Sequence, residues 1–398
     1  MKRRLAWLLV VALMVMAFGA TGCAPKEEAA PAETTDAPAE EMAEEVIKIG
    51  VFQPMTGANA AGGAMEVEGI ELANKLYPEV MGKKVQLVIV DNKSDKVEAA
   101  NAATRLVDKE EVVAIIGSWG SSFSMAAGPI VSDAEVPAVG ASCTNPLVTV
   151  GNDYYFRVCF IDSFQGVVMA NYAVNEVGAK KAAIIQEISN DYSVGLAKFF
   201  TDAFKQLTGD EEAIVAVASY NTGDQDFTAQ LQNVAGKNPD VIFAPGNYSE
   251  SALLIKQAKE QGIDLPFLGG DTWEAPEFLD IGGDAVNGAT FSTFFASEVP
   301  ITEMSETFLN EYRTAYDKEP AAVTALGFDA YLVILDAIER AGSADPKAIR
   351  DALAETTDYP GAAGMISLDE NGDAVKSAIL KTVEDGKFAY KTIVEPTK

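Results

Sequence analysis

The chain has 398 residues, of which 48% are hydrophobic and 22% charged, and a formal net charge of −29. This composition indicates a soluble globular protein with enough apolar residues for one large domain or two of ordinary size. Lys and Arg do not cluster beyond the first four residues, which argues against nucleic acid as a partner. Histidine is absent, so Ser–His or Cys–His catalytic pairs and His-ligated metals are excluded.

The first 22 residues have the three parts of an export signal. Residues 2–4 are basic, residues 5–18 form an apolar run too short for a comfortable membrane span, and small residues precede Cys23. The segment resembles a bacterial lipobox, which implies that Cys23 receives lipid and becomes the mature N-terminus. The alternative is an ordinary signal peptide that is cleaved nearby.

Residues 23–45 are rich in Ala, Glu and Pro, with eight acidic residues against the single Lys26. Such a segment cannot bury enough apolar surface to fold, so we predict a disordered, extended linker. A lipid followed by this linker would hold a domain at a membrane surface and leave it free to reorient.

From residue 46 onward, short apolar runs alternate with amphipathic stretches. We predict strands at 47–52, 85–91, 112–117, 136–140, 154–160, 182–186, 213–220, 241–244 and 266–269. We predict helices at 65–76, 96–109, 163–177, 194–207, 227–236 and 250–262, a mostly helical region at 302–354 and a hairpin at 377–394. This alternation favours parallel sheets covered by helices, and the strand count favours an α/β fold with two Rossmann-like lobes.

One stretch, residues 112–125, predicts a ligand site. A buried strand ends at Gly117, a polar turn follows, and a helix begins near Ser121. Serine hydroxyls and free backbone N–H groups at a helix start favour an anion, and ligands bind at such strand ends in open α/β sheets. The alternative is that Ser121 or Ser122 is only the N-cap.

Several short motifs, in this order and spacing, indicate a family. They are the segments 49–57 (IGVFQPMTG), 91–92 (DN), 116–118 (IGS), 141–146 (ASCTNP), 156–157 (FR), 191–192 (DY) and 327–330 (GFDA). From about residue 47 to its end, the chain resembles type I periplasmic binding proteins of the branched-chain amino-acid transport group. The resemblance implies two lobes joined by a hinge: lobe 1 comprises 46–162 and 294–372, and lobe 2 comprises 163–293 and 373–398.

The resemblance also implies which residues bind the ligand, an α-amino acid. The hydroxyls of Ser121 and Thr144 would hold its carboxylate, while Asp271 and the carbonyl of Ser142 would accept its ammonium. Closing the cleft would strengthen the Asp271–ammonium pair because water leaves. The alternatives are an ordinary Asn-Pro turn at Thr144 and a helix N-cap at Asp271.

The side-chain pocket implied by the resemblance departs from the usual family pattern. Trp119 stands where a smaller aliphatic residue is common, and Gly62 and Asn247 stand where aromatic residues are common. Tyr248 lies beside Asn247, and Tyr192 is a ring that closes from lobe 2. We therefore expect room to be gained at Gly62 and lost at Trp119; the alternative for Trp119 is core packing.

Two further features have simpler interpretations. The spacing of Cys143 and Cys159 does not indicate a disulfide, and free thiols are favoured although an exported protein could oxidise them. Residues 369–373 (DENGD) superficially resemble a calcium loop, but Asn-Gly favours a turn. We expect no metal and no cofactor.

These features lead to one functional hypothesis and two alternatives. The hypothesis is an exported, lipid-anchored, monomeric solute-binding protein that captures an amino acid of apolar type and delivers it to an ABC permease without performing chemistry. One alternative is a ligand sensor of the same fold. The other is a secreted hydrolase, for which Asp271 and Asp162 are the only carboxylate pair we would nominate.

Overall fold

The computed structural model describes residues 46–396. The predicted signal peptide, the lipidation site at Cys23 and the acidic linker lie outside these residues. No helix between residues 46 and 396 is long and apolar enough to cross a membrane.

The first lobe is built on a six-stranded sheet. Its strands are β1 (Val46–Gln53), β2 (Glu79–Val80), β3 (Lys83–Asp91), β4 (Ala114–Ile116), β5 (Ala138–Gly140) and β6 (Tyr155–Arg157). The order is β2-β3-β1-β4-β5-β6, and only β2 is antiparallel to its neighbour. The central strands are apolar without alternation because helices cover both faces of the sheet.

The second lobe is built on a seven-stranded sheet. Its strands are β7 (Ala182–Glu187), β8 (Ile214–Tyr220), β9 (Val241–Phe243), β10 (Phe267–Gly269), β11 (Thr290–Thr293), and the later pair β14 (Ala378–Glu384) and β15 (Lys387–Val394). The order is β15-β14-β11-β10-β9-β7-β8. β14 and β15 form the predicted antiparallel hairpin at one edge, and β12 (Tyr359–Gly361) and β13 (Gly364–Ile366) form a separate small hairpin.

Eleven α-helices between residues 46 and 396 cover the sheets. Those of the first lobe are α1 (Ala60–Leu76), α2 (Lys96–Asp108), α3 (Ser121–Asp133), α9 (Glu303–Tyr316), α10 (Ala322–Ala341) and α11 (Pro346–Ala354). Those of the second lobe are α4 (Asp162–Asn171), α5 (Asp191–Thr208), α6 (Thr228–Ala235), α7 (Tyr248–Glu260) and α8 (Pro276–Gly282). The predicted two-lobed α/β fold with parallel sheets is confirmed.

The chain passes between the lobes three times: after β6, after β11 and before β14. In each lobe, the loops at the carboxyl ends of the parallel strands therefore carry the residues that face the other lobe.

Helices α1 and α10 pack with almost no space between their backbones. A Cβ at Gly69 would lie 1.9 Å from the carbonyl oxygen of Thr324, and a Cβ at Gly327 would lie 2.3 Å from that of Glu66. The glycines permit this contact, which fixes the position of α1 and hence of its buried residue Glu66.

We predict that Gly69→Ala lowers the free energy of unfolding by about 1–3 kcal/mol, because the methyl group forces α1 and α10 apart. Gly128→Ala is the matched control. Gly128 also lies inside a helix, but its Cβ would meet only the side chain of Asn152 at 3.4 Å, so it should be neutral or stabilising by up to about 1 kcal/mol. Urea unfolding of both variants measures the difference, and equal stabilities would contradict the prediction.

Candidate functional site

A cavity of about 290 Å³ lies between the two lobes and is lined by residues of both. Six of the nine residues predicted to bind ligand line it: Trp119, Ser121, Ser142, Tyr192, Asn247 and Asp271. The other three, Gly62, Thr144 and Tyr248, do not line it.

The turn between β4 and α3 brings Ser121 to the cavity. Gly120, with φ at +90°, is the N-cap of α3, and no side chain caps this helix. The Oγ of Ser121 instead accepts a hydrogen bond from the backbone N–H of Asn145 at 3.1 Å, and the Oγ of Ser122 bonds to Asp191. The alternative that either serine caps α3 is therefore wrong.

Ser142, in the loop after β5, is tied to a buried acid that the sequence analysis missed. Its hydroxyl donates to Glu66, which is fully buried on α1 and also accepts a hydrogen bond from Gln53 at 2.5 Å. Burial raises the pKa of Glu66 to about 8, and the bonds from Ser142 and Gln53 offset part of that rise. Gln53 in turn accepts a bond from the backbone N–H of Trp119 at 2.7 Å, so Glu66 and Gln53 connect Ser142 to Trp119.

Thr144, in the same loop, does not reach the cavity surface. Its hydroxyl is fully buried next to the carboxyl group of Asp162, whose pKa it tends to lower, but neither group makes a hydrogen bond of standard geometry among residues 46–396. The backbone N–H of Asp162 donates to the carbonyl of Thr144 at 2.9 Å, and burial raises the pKa of Asp162 well above its usual range. Asp162 does not line the cavity, so this geometry does not favour the hydrolase alternative.

Arg157 of β6 anchors the loop that carries Ser142 and Thr144. Its buried guanidinium donates to the carbonyls of Cys143 and Asn145 at 2.6 and 2.9 Å and pairs with Asp373 at 2.6 Å. Cys143 and Cys159 are both buried, and no disulfide joins them.

Asp271 faces the cavity from the second lobe, directly after β10. Its Oδ1 accepts hydrogen bonds from Gln165 at 2.7 Å and from the hydroxyl of Tyr192 at 2.9 Å. Burial raises the pKa of Asp271 to about 6, against the lowering effect of these two bonds. The alternative of a helix N-cap is wrong, since α8 begins at Pro276 and its N-cap is Ala275.

The indole of Trp119 lies directly on Gly62. A Cβ at Gly62 would be 2.4 Å from the indole Cε2, so the expectation that Gly62 adds room to the pocket is wrong: the indole occupies that space. Trp119 is nearly buried and yet lines the cavity, so it is both packed and part of the wall. The Tyr248 ring of the second lobe lies 6.0 Å from the indole ring.

Two side chains at helix starts meet across the cavity. Asn59 precedes α1 and Asn247 precedes α7, but neither makes a capping hydrogen bond to its own helix. The amide of Asn247 instead donates to Asn59 at 3.1 Å, and the hydroxyl of Tyr248 donates to the carbonyl of Ala58 at 3.1 Å. These bonds join the lobes, so the cleft is closed.

The loop at residues 369–373 is a turn, because the carboxylate of Asp369 accepts hydrogen bonds from the backbone N–H groups of Asn371 and Asp373. No group of three or more acidic or Cys side chains in the described part of the chain could hold a metal ion.

Comparison with known proteins identifies relatives along the whole described region. The family model for periplasmic binding proteins matches residues 46–387. A leucine-, isoleucine-, valine-, threonine- and alanine-binding protein of Pseudomonas aeruginosa is 30% identical, covering 89% of this chain and 94% of its own.

Two solved structures share this architecture. A leucine-binding protein of Thermotoga maritima is 44% identical with a TM-score of 0.85, covering 88% of this chain and 99% of its own. The substrate-binding protein of a branched-chain amino-acid transporter from Streptococcus pneumoniae, solved with isoleucine, is 34% identical with a TM-score of 0.82, covering 88% and 100%. As its motifs predicted, the chain belongs to the periplasmic binding protein family, in the type I group of branched-chain amino-acid binding proteins.

Proposed function

We propose that this protein is the extracytoplasmic solute-binding component of an ABC transporter and captures an amino acid of the apolar, branched-chain type. The observation that carries the proposal is the pairing of opposite chemistries in one closed cavity: the Ser121 turn on the first lobe and the Asp271 carboxylate on the second. An α-amino acid has the matching groups, and the names of the relatives agree with this ligand class.

The ligand carboxylate would lie against the hydroxyl of Ser121 and the free N–H groups of the first turn of α3. The second donor would be the hydroxyl of Thr144, which has no hydrogen bond of standard geometry among residues 46–396 and would have to turn toward the cavity to bind the carboxylate. The ligand ammonium would bind Asp271 and the carbonyl of Ser142. The bonds from Gln165 and Tyr192 keep the Asp271 carboxylate oriented for this pairing.

The ligand side chain would pack against Trp119, with Tyr192 and Asn247 completing the wall from the second lobe. Seated on Gly62, the indole forms a flat apolar surface that suits aliphatic side chains. Tyr248 supports the indole from behind and closes with the second lobe.

Binding would close the hinge, and the permease would recognise the closed form, so the protein needs no catalytic step. We further propose that it is exported and anchored to the outer face of the cytoplasmic membrane by lipid on Cys23. It would act as a monomer whose lobes divide at residues 162/163, 293/294 and 372/373.

We predict that isothermal titration calorimetry detects binding of isoleucine, leucine or valine to the purified chain. Asp271→Ala should weaken it by at least about 100-fold, because the ligand ammonium is left buried without its counter-charge. Asp202→Ala, which removes an exposed carboxylate on α5, is the control. If no common amino acid binds, the proposed ligand class is wrong.

The pH dependence of binding follows from Asp271. The ligand ammonium requires the ionised carboxylate, whose pKa in the empty cavity is raised to about 6. Kd should therefore change little between pH 7 and 7.5 and rise about tenfold by pH 5, since a proton must leave before the pair forms. Glu66, with a pKa of about 8, stays protonated across this range.

Asp271→Asn serves as the control for the pH series. Its weaker binding should not change between pH 5 and 7.5. If the variant loses the same tenfold affinity as the unchanged chain, another group carries the pH dependence.

Gly62→Ala tests the role of the indole. The added methyl group pushes the indole of Trp119 into the cavity, so the affinity for isoleucine should fall about tenfold while that for alanine changes less. Gly128→Ala is the control for a helical glycine away from the site. Equal losses of affinity for isoleucine and alanine would show that the indole does not set the depth of the pocket.

A further inference from the structure

Asp191, the first residue of α5 in the second lobe, contacts three residues of the first lobe. Its Oδ2 accepts hydrogen bonds from Lys96 at 2.7 Å and from the hydroxyl of Ser122 at 2.8 Å. Its backbone N–H donates to the same Ser122 oxygen at 3.0 Å, and its carbonyl accepts from the side chain of Asn145 at 2.9 Å.

Two of these three partners, Ser122 and Asn145, lie on the two segments proposed to bind the ligand carboxylate. Ser122 follows Ser121 on α3, and Asn145 follows Thr144 in the loop after β5. The two segments also touch each other, because the backbone N–H of Asn145 donates to the Oγ of Ser121. Asp191 therefore holds both donor segments from the opposite lobe.

We propose that Asp191 is a positioning residue: in the closed form it fixes the Ser121 and Thr144 segments, so that alignment of the ligand carboxylate and closure of the cleft become one event. The proposal rests on the proposed function. Each of these bonds joins the two lobes, so they are lost when the lobes separate and stabilise only the closed state. A ligand that aligns Ser121 and Thr144 also brings Ser122 and Asn145 into place for Asp191.

The contributions of the three partners differ. The side chains of Lys96 and Asp191 are 49% and 43% exposed, so their ion pair is partly screened and contributes little by itself. Ser122 is buried, and its hydroxyl makes a charge-assisted hydrogen bond, which is stronger than a neutral one. Partial burial tends to raise the pKa of Asp191, but the bonds from Lys96 and Ser122 lower it below its usual range, so the residue is ionised at neutral pH.

The test is stopped-flow measurement of isoleucine binding to the purified chain, followed by intrinsic tryptophan fluorescence. Asp191→Ala should raise the dissociation rate by about 10- to 100-fold and leave the association rate within about threefold. Lys96→Met should raise the dissociation rate by no more than about fivefold. Helix α5 keeps its cap, Asn190, in the variant, so the unfolding midpoint without ligand should not change, whereas the ligand-induced rise in that midpoint should shrink.

The matched control is Asp202→Asn, on the same helix. Asp202 pairs with Lys198 of α5 and makes no bond to the first lobe, so its dissociation rate should equal that of the unchanged chain. The double variant Lys96→Asp, Asp191→Lys keeps an ion pair with reversed charges. Its dissociation rate should therefore be lower than that of Asp191→Ala, by the contribution of the ion pair that Lys96→Met measures. Equal dissociation rates for Asp191→Ala and Asp202→Asn, or a large fall in the ligand-free unfolding midpoint, would overturn the proposal.

Failure of the proposed function is a separate outcome. If the unchanged chain binds no amino acid, small-angle X-ray scattering can still test whether Asp191 favours the closed form, because closure lowers the radius of gyration. The Asp191→Ala chain should then have a larger radius of gyration than the Asp202→Asn chain, and equal radii would overturn the role of Asp191.

Discussion

The buried guanidinium of Arg157 connects the binding loop to the hinge. It donates to the carbonyls of the loop that carries Ser142 and Thr144, and it pairs with Asp373, which lies on the crossover before β14. A buried charge is tolerated only when it is paired and hydrogen-bonded, and removing one partner of such a pair costs about 3–5 kcal/mol. The loop therefore cannot move away from the crossover without exposing or stranding this charge, so the first-lobe half of the site and the hinge behave as one rigid piece.

The order and type of the main elements could be predicted from the sequence, because apolar periodicity is a local signal. The starts of three helices could not: α1, α5 and α7 begin at Ala60, Asp191 and Tyr248, earlier than the predicted 65, 194 and 250. Each is preceded by an asparagine that lines the cavity. First turns that face a cleft lack the large aliphatic residues of a core: residues 60–63 are Ala and Gly, and residues 191–193 and 248–250 are polar or aromatic. The apolar pattern therefore begins only where each helix reaches the core.

Part of the site could also be predicted, because the positions of some of its residues follow from local signals. Ser121 and Asp271 follow strand ends, where α/β sheets bind ligands, and the prediction needed no knowledge of distant contacts. The supporting residues depend on such contacts: Glu66 is 76 residues from Ser142, and Gln165 is 106 residues from Asp271. The Gly62–Trp119 contact also depends on residues far apart in the sequence. Neither residue alone indicates that the indole of Trp119 fills the space beside Gly62.

The buried acids around the cavity oppose closure of the empty cleft, so a ligand that compensates them favours the closed form. Burial in the closed cleft raises the pKa of Asp271 to about 6, so keeping its carboxylate ionised there without a partner costs free energy. The charge of Asp271 also helps to raise the pKa of Glu66. On the proposed function, the ligand's ammonium would compensate Asp271 and remove this cost, while Asp191 and the Asn59–Asn247 bond stabilise the closed state once it forms. An amine-bearing ligand thus acts on the hinge through electrostatics as well as through contact, and an uncharged analogue of the same shape should bind without fully closing the cleft.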